Sequence, residues 1–369
     1  MTNTQQKTCK SRQNKSLRVG IVELKPKRTI IILMRLRVGL VGLGDVWHVR
    51  HATALRALAD RFEVRAICDQ VRHRAEQAAA EFDAEVVDGY RVLASREDID
   101  AVLMLSPQWY GALPILAACD AGKAIYCAAG LDLSADEAQQ IKRRVEEAGI
   151  AFVAEFPRRQ APATIRLKEL IASRLGAPRL LFCHQRSVVD APANHLPGRN
   201  PLHPTFRYLI EQVDWCRYVV DLPPAAVMGV VHHSGDGLAA EDYQMMSLDF
   251  SPQDKPGTGP IAQISCGRYV PFGWQEAIAY RPLAALQVSC ERGIAFIDLP
   301  ATLVWFDEAG RHQESLDSER PVGEQLLTHF YRAVTSLVRH TCDLEDAYQA
   351  IRVVQAARQS HAEGRRIGL

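Results

Sequence analysis

Neither charge is in excess in this 369-residue sequence: 44 lysines and arginines stand against 43 aspartates and glutamates, a formal +1 at pH 7. Without a global field to hold a polyanion, the chain does not read as a nucleic-acid binder. It has no C-x-x-C pair, and its nine cysteines are scattered and odd in number. That excludes a secreted disulfide framework and a cysteine zinc site, and it fits a reducing cytoplasm. No apolar run approaches the roughly 20 residues that span a bilayer, so no membrane partner is expected. There is no G-x-S-x-G elbow, Walker-A loop or H-E-x-x-H pair, which leaves hydrolase and kinase readings without support. His195, His203 and His232-His233 lack an acid at ligand spacing, so no metal is expected. What is present is an ordinary globular composition, 47% hydrophobic and 24% charged, at a length that suggests two domains.

The first informative stretch is Leu36 to Val41, an apolar strand followed by Gly42-Leu43-Gly44-Asp45-Val46-Trp47 and a helical run to about Asp60. Two glycines let the turn close tightly and let a pyrophosphate approach the backbone at a helix N-terminus. A second strand, Phe62 to Cys68, ends in Asp69, about 25 residues beyond the glycines, where a ribose-binding acid is expected. Its carboxylate would repel a 2′-phosphate, while Arg72 and Arg74 close by keep NADP beside NAD as the expected cofactor. Trp47 stands where the fingerprint has its third glycine, which alters either helix–strand packing or the phosphate pocket.

Strands and helices continue to alternate. Helices are expected at Ala75–Phe82 and Pro114–Ala121, strands at Ala84–Val87, Asp100–Leu105 and Ala124–Cys127. Ser134-Ala135-Asp136-Glu137 is a capping box opening a helix to Ala148. This is the pattern of a doubly wound parallel sheet with helices on both faces, whose ligands sit at the carboxyl ends of the strands. Gly42, Asp69, the Ser106-Pro107-Gln108 segment and Ala128 all fall there.

With VGLVGLGDVW, AICD, IDAVLMLSP, AGKAIYC, EFPRRQAP and AYQAIRVVQAARQSHAEG on the page, the chain resembles the glucose–fructose oxidoreductase, inositol dehydrogenase and MocA family from Leu36 to the end. The resemblance implies a Rossmann-type domain over 35–155. An α/β domain over 156–369 would follow, built on a large open, mostly antiparallel sheet whose face makes dimers or tetramers, with the final helix packing back. The family's chemical motifs are degraded here. Where members carry Glu-Lys-Pro after the fifth strand, this chain has Ala128-Ala129-Gly130, so the lysine that reaches substrate and nicotinamide is lost. Asp214 matches the family's second-domain aspartate, Glu211 stands in place of its histidine three residues earlier, and Gly111 in place of another histidine.

From Arg207 to Val220, Leu209, Val213, Cys216 and Val220 recur at helical spacing, which puts Arg207, Glu211, Asp214 and Tyr218 on the opposite stripe. That stripe reads either as a solvated face with an Arg207–Glu211 pair or as the catalytic wall of a cleft. In the second case Asp214 and Glu211, one turn apart, raise each other's proton affinity. Arg158 and Arg159 suit a carboxylate or phosphate substrate, or equally an inter-domain salt bridge. Trp109 and Tyr110 after Gln108 stack on a ring or fill an apolar wall. The Pro- and Gly-rich run from Val188 to Pro204 reads as a loop over a site. Strands are expected at 225–231, 242–250, 261–269, 284–290, 294–299 and 303–307, then helices at 324–339 and 343–363, the latter capped by Asp343.

Two functions compete. The first is an NAD(P)-dependent oxidoreductase for a sugar, polyol or related hydroxylated small molecule, with Asp214 and Glu211 as acid–base groups and Arg159 holding substrate. The second is a dinucleotide-binding sensor, regulator or partner subunit without hydride chemistry, since the glycines are kept while the lysine position is not.

Residues 1–34 are polar and basic with one short apolar patch, and a fresh apolar strand follows Met34. They are expected to be a disordered extension or a mis-assigned start. N-terminal mass spectrometry of native protein tests this, and a peptide from before Met34 overturns the late start.

Overall fold

The computed structural model describes residues 20–22, 31–33, 35–128, 131, 133–188, 204–233, 242–252, 254–274, 276–280, 284–298, 300–317, 319–336 and 342–369. Within the N-terminal stretch it describes one antiparallel pairing, β1 (Gly20–Val22) with β2 (Ile31–Leu33). The remainder of 1–34, Ala129-Gly130 and 189–203 lie outside the described residues.

The first domain is a six-stranded parallel sheet of β3 (Leu36–Val41), β4 (Phe62–Cys68), β5 (Glu85–Val86), β6 (Ala101–Met104), β7 (Ala124–Cys127) and β8 (Phe152–Ala154). Its order is β5-β4-β3-β6-β7-β8. The chain winds outward from β3 in one direction and then returns to fill the other, so a crevice opens beyond the carboxyl ends of β3 and β6. Strands buried on both faces explain their near-continuous apolar composition. The helices are α1 (Ala52–Ala57), α2 (Arg72–Phe82), α3 (Tyr90–Ser95), α4 (Pro107–Tyr110), α5 (Leu113–Asp120) and α6 (Ala135–Ala148). Ser134 caps α6 as its sequence requires, accepting from the Glu137 amide while the Glu137 carboxylate accepts from the Ser134 amide.

The second domain begins with α7 (Pro162–Leu170) and β9 (Pro178–Val188), followed by α8 (Pro204–Val220). Then come β10 (Ala226–His233), β11 (Asp242–Asp249), β12 (Ile261–Val270), α9 (Glu276–Ala279), β13 (Leu286–Cys290), β14 (Ile294–Ile297), β15 (Thr302–Asp307) and β16 (Gly310–Ser315). The chain closes with α10 (Val322–Thr335), α11 (Cys342–Glu363) and β17 (Ile367–Gly368). Nine strands form one sheet in the order β16-β15-β14-β13-β9-β12-β11-β10-β17, antiparallel except where β9 meets β12. The pattern of the sequence misses β9 and β16. Polar residues interrupt β9 (PRLLFCHQRSV) although it is central, and β16 (GRHQES) is a polar edge strand. Asp343 lies in the first turn of α11, and its carboxylate meets His329 at 2.9 Å.

One face of this sheet is buried under α7, α8 and α11, with Leu181, Cys183, Ile264, Val288 and Trp305 in the same core as Leu209, Val213 and Ile351. The other face leaves Leu180, Met228, Val230, Ile261, Tyr269 and Phe306 exposed. Both late helices return to the first domain: Phe330 of α10 packs on Tyr126, and α11 shares a core with Ile141 and Phe152. The seven cysteines whose side chains are described are all buried and free. No described helix is long and apolar enough to cross a membrane.

Gly229 marks where α11 presses on β10: a Cβ there would overlap the Ala357 carbonyl, and its amide donates to Ser360 Oγ at 3.1 Å. Gly229→Ala is therefore expected to lower stability by about 1–3 kcal/mol, the usual range for overpacking. Urea unfolding measures it, and an unchanged midpoint would mean that α11 can yield.

Candidate active site

The turn after β3 is built for backbone contact. Gly42 and Gly44 have φ of 69° and 52°, and a Cβ on either would strike Ser106 or the Leu105 carbonyl. The first three amides are used internally: Gly42 donates to the Cys68 carbonyl at 2.7 Å, Leu43 to Asp69 Oδ2 at 2.8 Å and Gly44 to Ser106 Oγ at 2.7 Å. The amides of Asp45 and Val46 have no partner among the described residues. They open a π turn, Trp47–His51, that runs into α1. Free amides at the positive end of a helix fit the pyrophosphate of a dinucleotide.

Asp69 sits where the sequence puts it, with a second task. Its Oδ2 accepts from Leu43 and its Oδ1 from the Val71 amide at 2.8 Å, so the same carboxylate braces the turn and keeps lone pairs for a ribose. Arg74 donates to the Gly44 carbonyl at 3.2 Å and Arg72 to Glu76 at 2.9 Å, so both cations are engaged. Trp47 is buried against Phe82 with ring centroids 5.8 Å apart. Its effect is therefore on helix–strand packing. Pro107 begins α4, and Tyr110 lies beside Gly42 and edge-on to Tyr90. Trp109 is partly exposed, and the Gln108 side chain lies outside the described residues.

The floor of the cleft is a group that sequence reading passed over. Glu155 follows β8, is 1% exposed, and receives the Nη1 of Arg50, the Nε2 of His51 at 2.9 Å and the hydroxyl of Tyr126 at 3.0 Å. Burial pushes its carboxyl up, but the His51 ring, Arg50 and Tyr126 outweigh that and hold it down at about 2. The signal was available: Glu155 ends a buried strand on the same edge as Gly42, Asp69, Ser106 and Ala128. His51 was invisible because its partner lies 104 residues away.

Helix α8 forms the opposite wall, and the structure separates the three catalytic candidates. Glu211 lines a small pocket with Asp45, Val46, Leu105, Ala128, Glu155 and Arg207, next to the glycine turn. Asp214 does not share it. Its carboxylate is 1% exposed and bidentate on Arg159, with Nε to Oδ2 at 2.6 Å. Arg159 also donates to Asp346 of α11 at 2.8 Å. Burial pushes the Asp214 carboxyl up to about 6 against the pull of Arg159, and Glu211 is not the cause. This corrects the expectation of two carboxylates raising each other across one turn: α11 closes the Asp214 end of the stripe through Asp346, while the Glu211 end lines the pocket. Arg159 is spent on that pair, so it does not face the same pocket as Glu211. Arg158, its neighbour, does face the cleft, stacked over Trp215 at 4.8 Å.

The Glu155 cluster has a pH signature. Its folded value lies below the ordinary 4.5, so it stabilises the fold above pH 4.5 and the contribution is lost as pH falls through about 2. Glu155→Gln is expected to flatten that acid limb and to cost roughly 3–5 kcal/mol at neutral pH, because Arg50 and His51 lose a buried anion. Urea midpoints across the acid range read both, and an unaltered pH slope would exclude the charged cluster.

Residues 36–156 match the oxidoreductase family Gfo/Idh/MocA, described by its NAD-binding Rossmann fold. Inositol 2-dehydrogenase of Cereibacter sphaeroides is 32% identical over 197 residues, 51% of this chain and 55% of that enzyme. The chain thus spans about half the length of this curated relative. The uncharacterized oxidoreductase YrbE of Bacillus subtilis is 24% identical over 88% of this chain and 94% of its own length. Among solved structures, levoglucosan dehydrogenase in complex with NADH and levoglucosan superposes with a TM-score of 0.74 at 18% identity, over 90% of this chain and 99% of that one. An NAD binding oxidoreductase from Klebsiella pneumoniae gives 0.73 at 18%, over 90% and 99%. At such identities the superpositions speak for the fold. It is through residues 36–156 that this chain resembles the Gfo/Idh/MocA oxidoreductase family.

Proposed function

We propose that the chain is an NAD(P)-dependent oxidoreductase acting on a sugar, polyol or related hydroxylated small molecule. The observation that carries it is one pocket in which the turn residues Asp45 and Val46 meet the carboxylate of Glu211. Gly42 to Trp47 and Ser106-Pro107-Gln108 would hold the dinucleotide, with Asp69 at its ribose. The partners already held by Arg72 and Arg74 favour NAD over NADP. A bound nicotinamide supplies the hydride acceptor. Glu211 holds or releases the proton of the substrate hydroxyl from α8, within reach of the cleft floor. Asp214 and Arg159 act as positioning residues that fix the rotation of α8 and therefore the direction in which Glu211 points. Inositol 2-dehydrogenase and levoglucosan dehydrogenase among the similar proteins support a polyhydroxylated substrate. The exposed apolar face of the large sheet supports a homo-oligomer, and the free buried cysteines support a cytoplasmic location.

Calorimetric titration with NAD, NADH, NADP and NADPH tests the cofactor reading. Micromolar binding of NAD and NADH, with the phosphorylated pair weaker, is expected; no binding by any of the four overturns it. With a turned-over substrate in hand, Glu211→Gln is expected to lower kcat by about 10²–10⁴-fold, the span of general acid–base catalysis, while leaving NAD affinity unchanged. Full activity in that variant would remove Glu211 from the chemistry and leave cofactor binding standing.

A further inference from the structure

Glu211 lies between two guanidinium groups and is hydrogen-bonded to neither. Arg158 Nε stands 3.8 Å from one of its oxygens and Arg207 Nε 4.0 Å from the other. Both are ion-pair distances beyond the range of a hydrogen bond. Arg207 Nε is buried and has no hydrogen-bond partner among the described residues. Arg158 is held in plane by its stack on Trp215 and by Nη2 donating to Gln185 at 2.9 Å. The two arginines come from different elements, one from the segment after β8 and one from the second turn of α8. Arg158 and Glu211 line a cavity of about 300 Å³, and Arg207 and Glu211 line the small pocket beside the glycine turn, so the two arginines meet the two openings on either side of Glu211. Arg50, at the same cavity, is already neutralised by Glu155. Asp298 sits on the rim, exposed to solvent. At the centre, two cations face one carboxylate.

A buried guanidinium N–H without an acceptor is costly to keep, and the acceptor that suits a pair of guanidiniums is another carboxylate. A hydroxyl satisfies one donor and leaves the excess charge in place. We infer that the substrate carries a carboxylate beside the hydroxyl that reacts: a sugar acid or other hydroxy acid, selected by Arg158 and Arg207. This deepens the oxidoreductase reading and rests on it. In the oxidation, the carbinol hydrogen leaves as hydride to NAD⁺, the hydroxyl proton passes to Glu211 and on to solvent, and a carbonyl forms. The carboxylate is unchanged and serves only as the handle. Placing it beside Glu211, within reach of both arginines, puts the neighbouring hydroxyl against Glu211, which relates the anion site to the reacting atom by one or two bonds of substrate.

The test is binding, read by calorimetry on the full chain with NADH present. Glucuronate, galacturonate and gluconate are each compared with glucose, galactose and glucitol, with sulfate as a bare anion. At least one acid is expected to bind tenfold or more tightly than its neutral counterpart and than sulfate. Arg207→Gln should remove that margin, Arg207→Lys should restore part of it, and NADH affinity should not move in either. Equal binding of acid and neutral sugar, or sulfate as tight as the acids, overturns the inference while the dehydrogenase reading stands. No acid bound although NADH binds also overturns it. Failure of NADH itself to bind strikes the underlying reading instead, and is seen in the same titration before any sugar is added.

Discussion

The ion pair between Arg159 and Asp214 is the constraint on which the cleft depends. Asp214 is buried and Arg159 mostly so, and taking two charges out of water is expensive unless the geometry is bidentate and the remaining donors are used. Here they are used: Asp346 of α11 takes the third donor of Arg159, and Arg217 of α8 closes the loop onto Asp346 at 3.2 Å. The pair therefore ties the segment after β8 to α8 and α11 at one point. Because α8 has 3.6 residues per turn, locking Asp214 inward fixes the azimuth of every other residue on that helix. Leu209, Val213 and Cys216 are sent into the sheet core and Glu211 toward the glycine turn.

A second buried carboxylate does the complementary work on the other wall. Glu155 joins the end of β8 to the helix that follows the glycine turn through Arg50 and His51, and to β7 through Tyr126. Its neighbours Phe156 to Arg159 then cross to the second domain, so the two ion clusters are four residues apart in sequence and face opposite ways. One polar tetrad at the end of a buried strand thus rigidifies the floor, and the other aligns the wall. A site held from both sides in this manner can present a small number of groups with little freedom, as catalysis requires.

The glycine turn shows how a dinucleotide cradle can be pre-formed. Three of its amides are satisfied by the protein, which fixes the loop, and the next two are left for an anion at the helix end. Asp69, the acid proposed for the ribose, is part of that bracing. Trp47, which breaks the glycine fingerprint, does so without entering the pocket, because its ring turns into the core against Phe82.

Much of this was legible from residues alone. The alternating strands and helices, the open second sheet, the capping box at Ser134 and the apolar stripe of α8 follow from local periodicity and turn chemistry, which act over a few residues. The place of Asp69 beside the glycine turn was legible because its spacing from Gly42 is set by one βα unit. Glu155 with His51 was not found, nor the division of labour between Arg158 and Arg159, nor that between Glu211 and Asp214. Adjacent arginines, and carboxylates one turn apart, look alike in sequence. What distinguishes them is which distant element covers them: α11 closes over Arg159 and Asp214, while the cleft stays open over Arg158 and Glu211. Local sequence determines which elements form and what chemistry each carries. Only the packing of elements far apart in the chain decides which charges are buried in pairs and which are left facing a ligand, because desolvation and Coulomb attraction depend on distance in space.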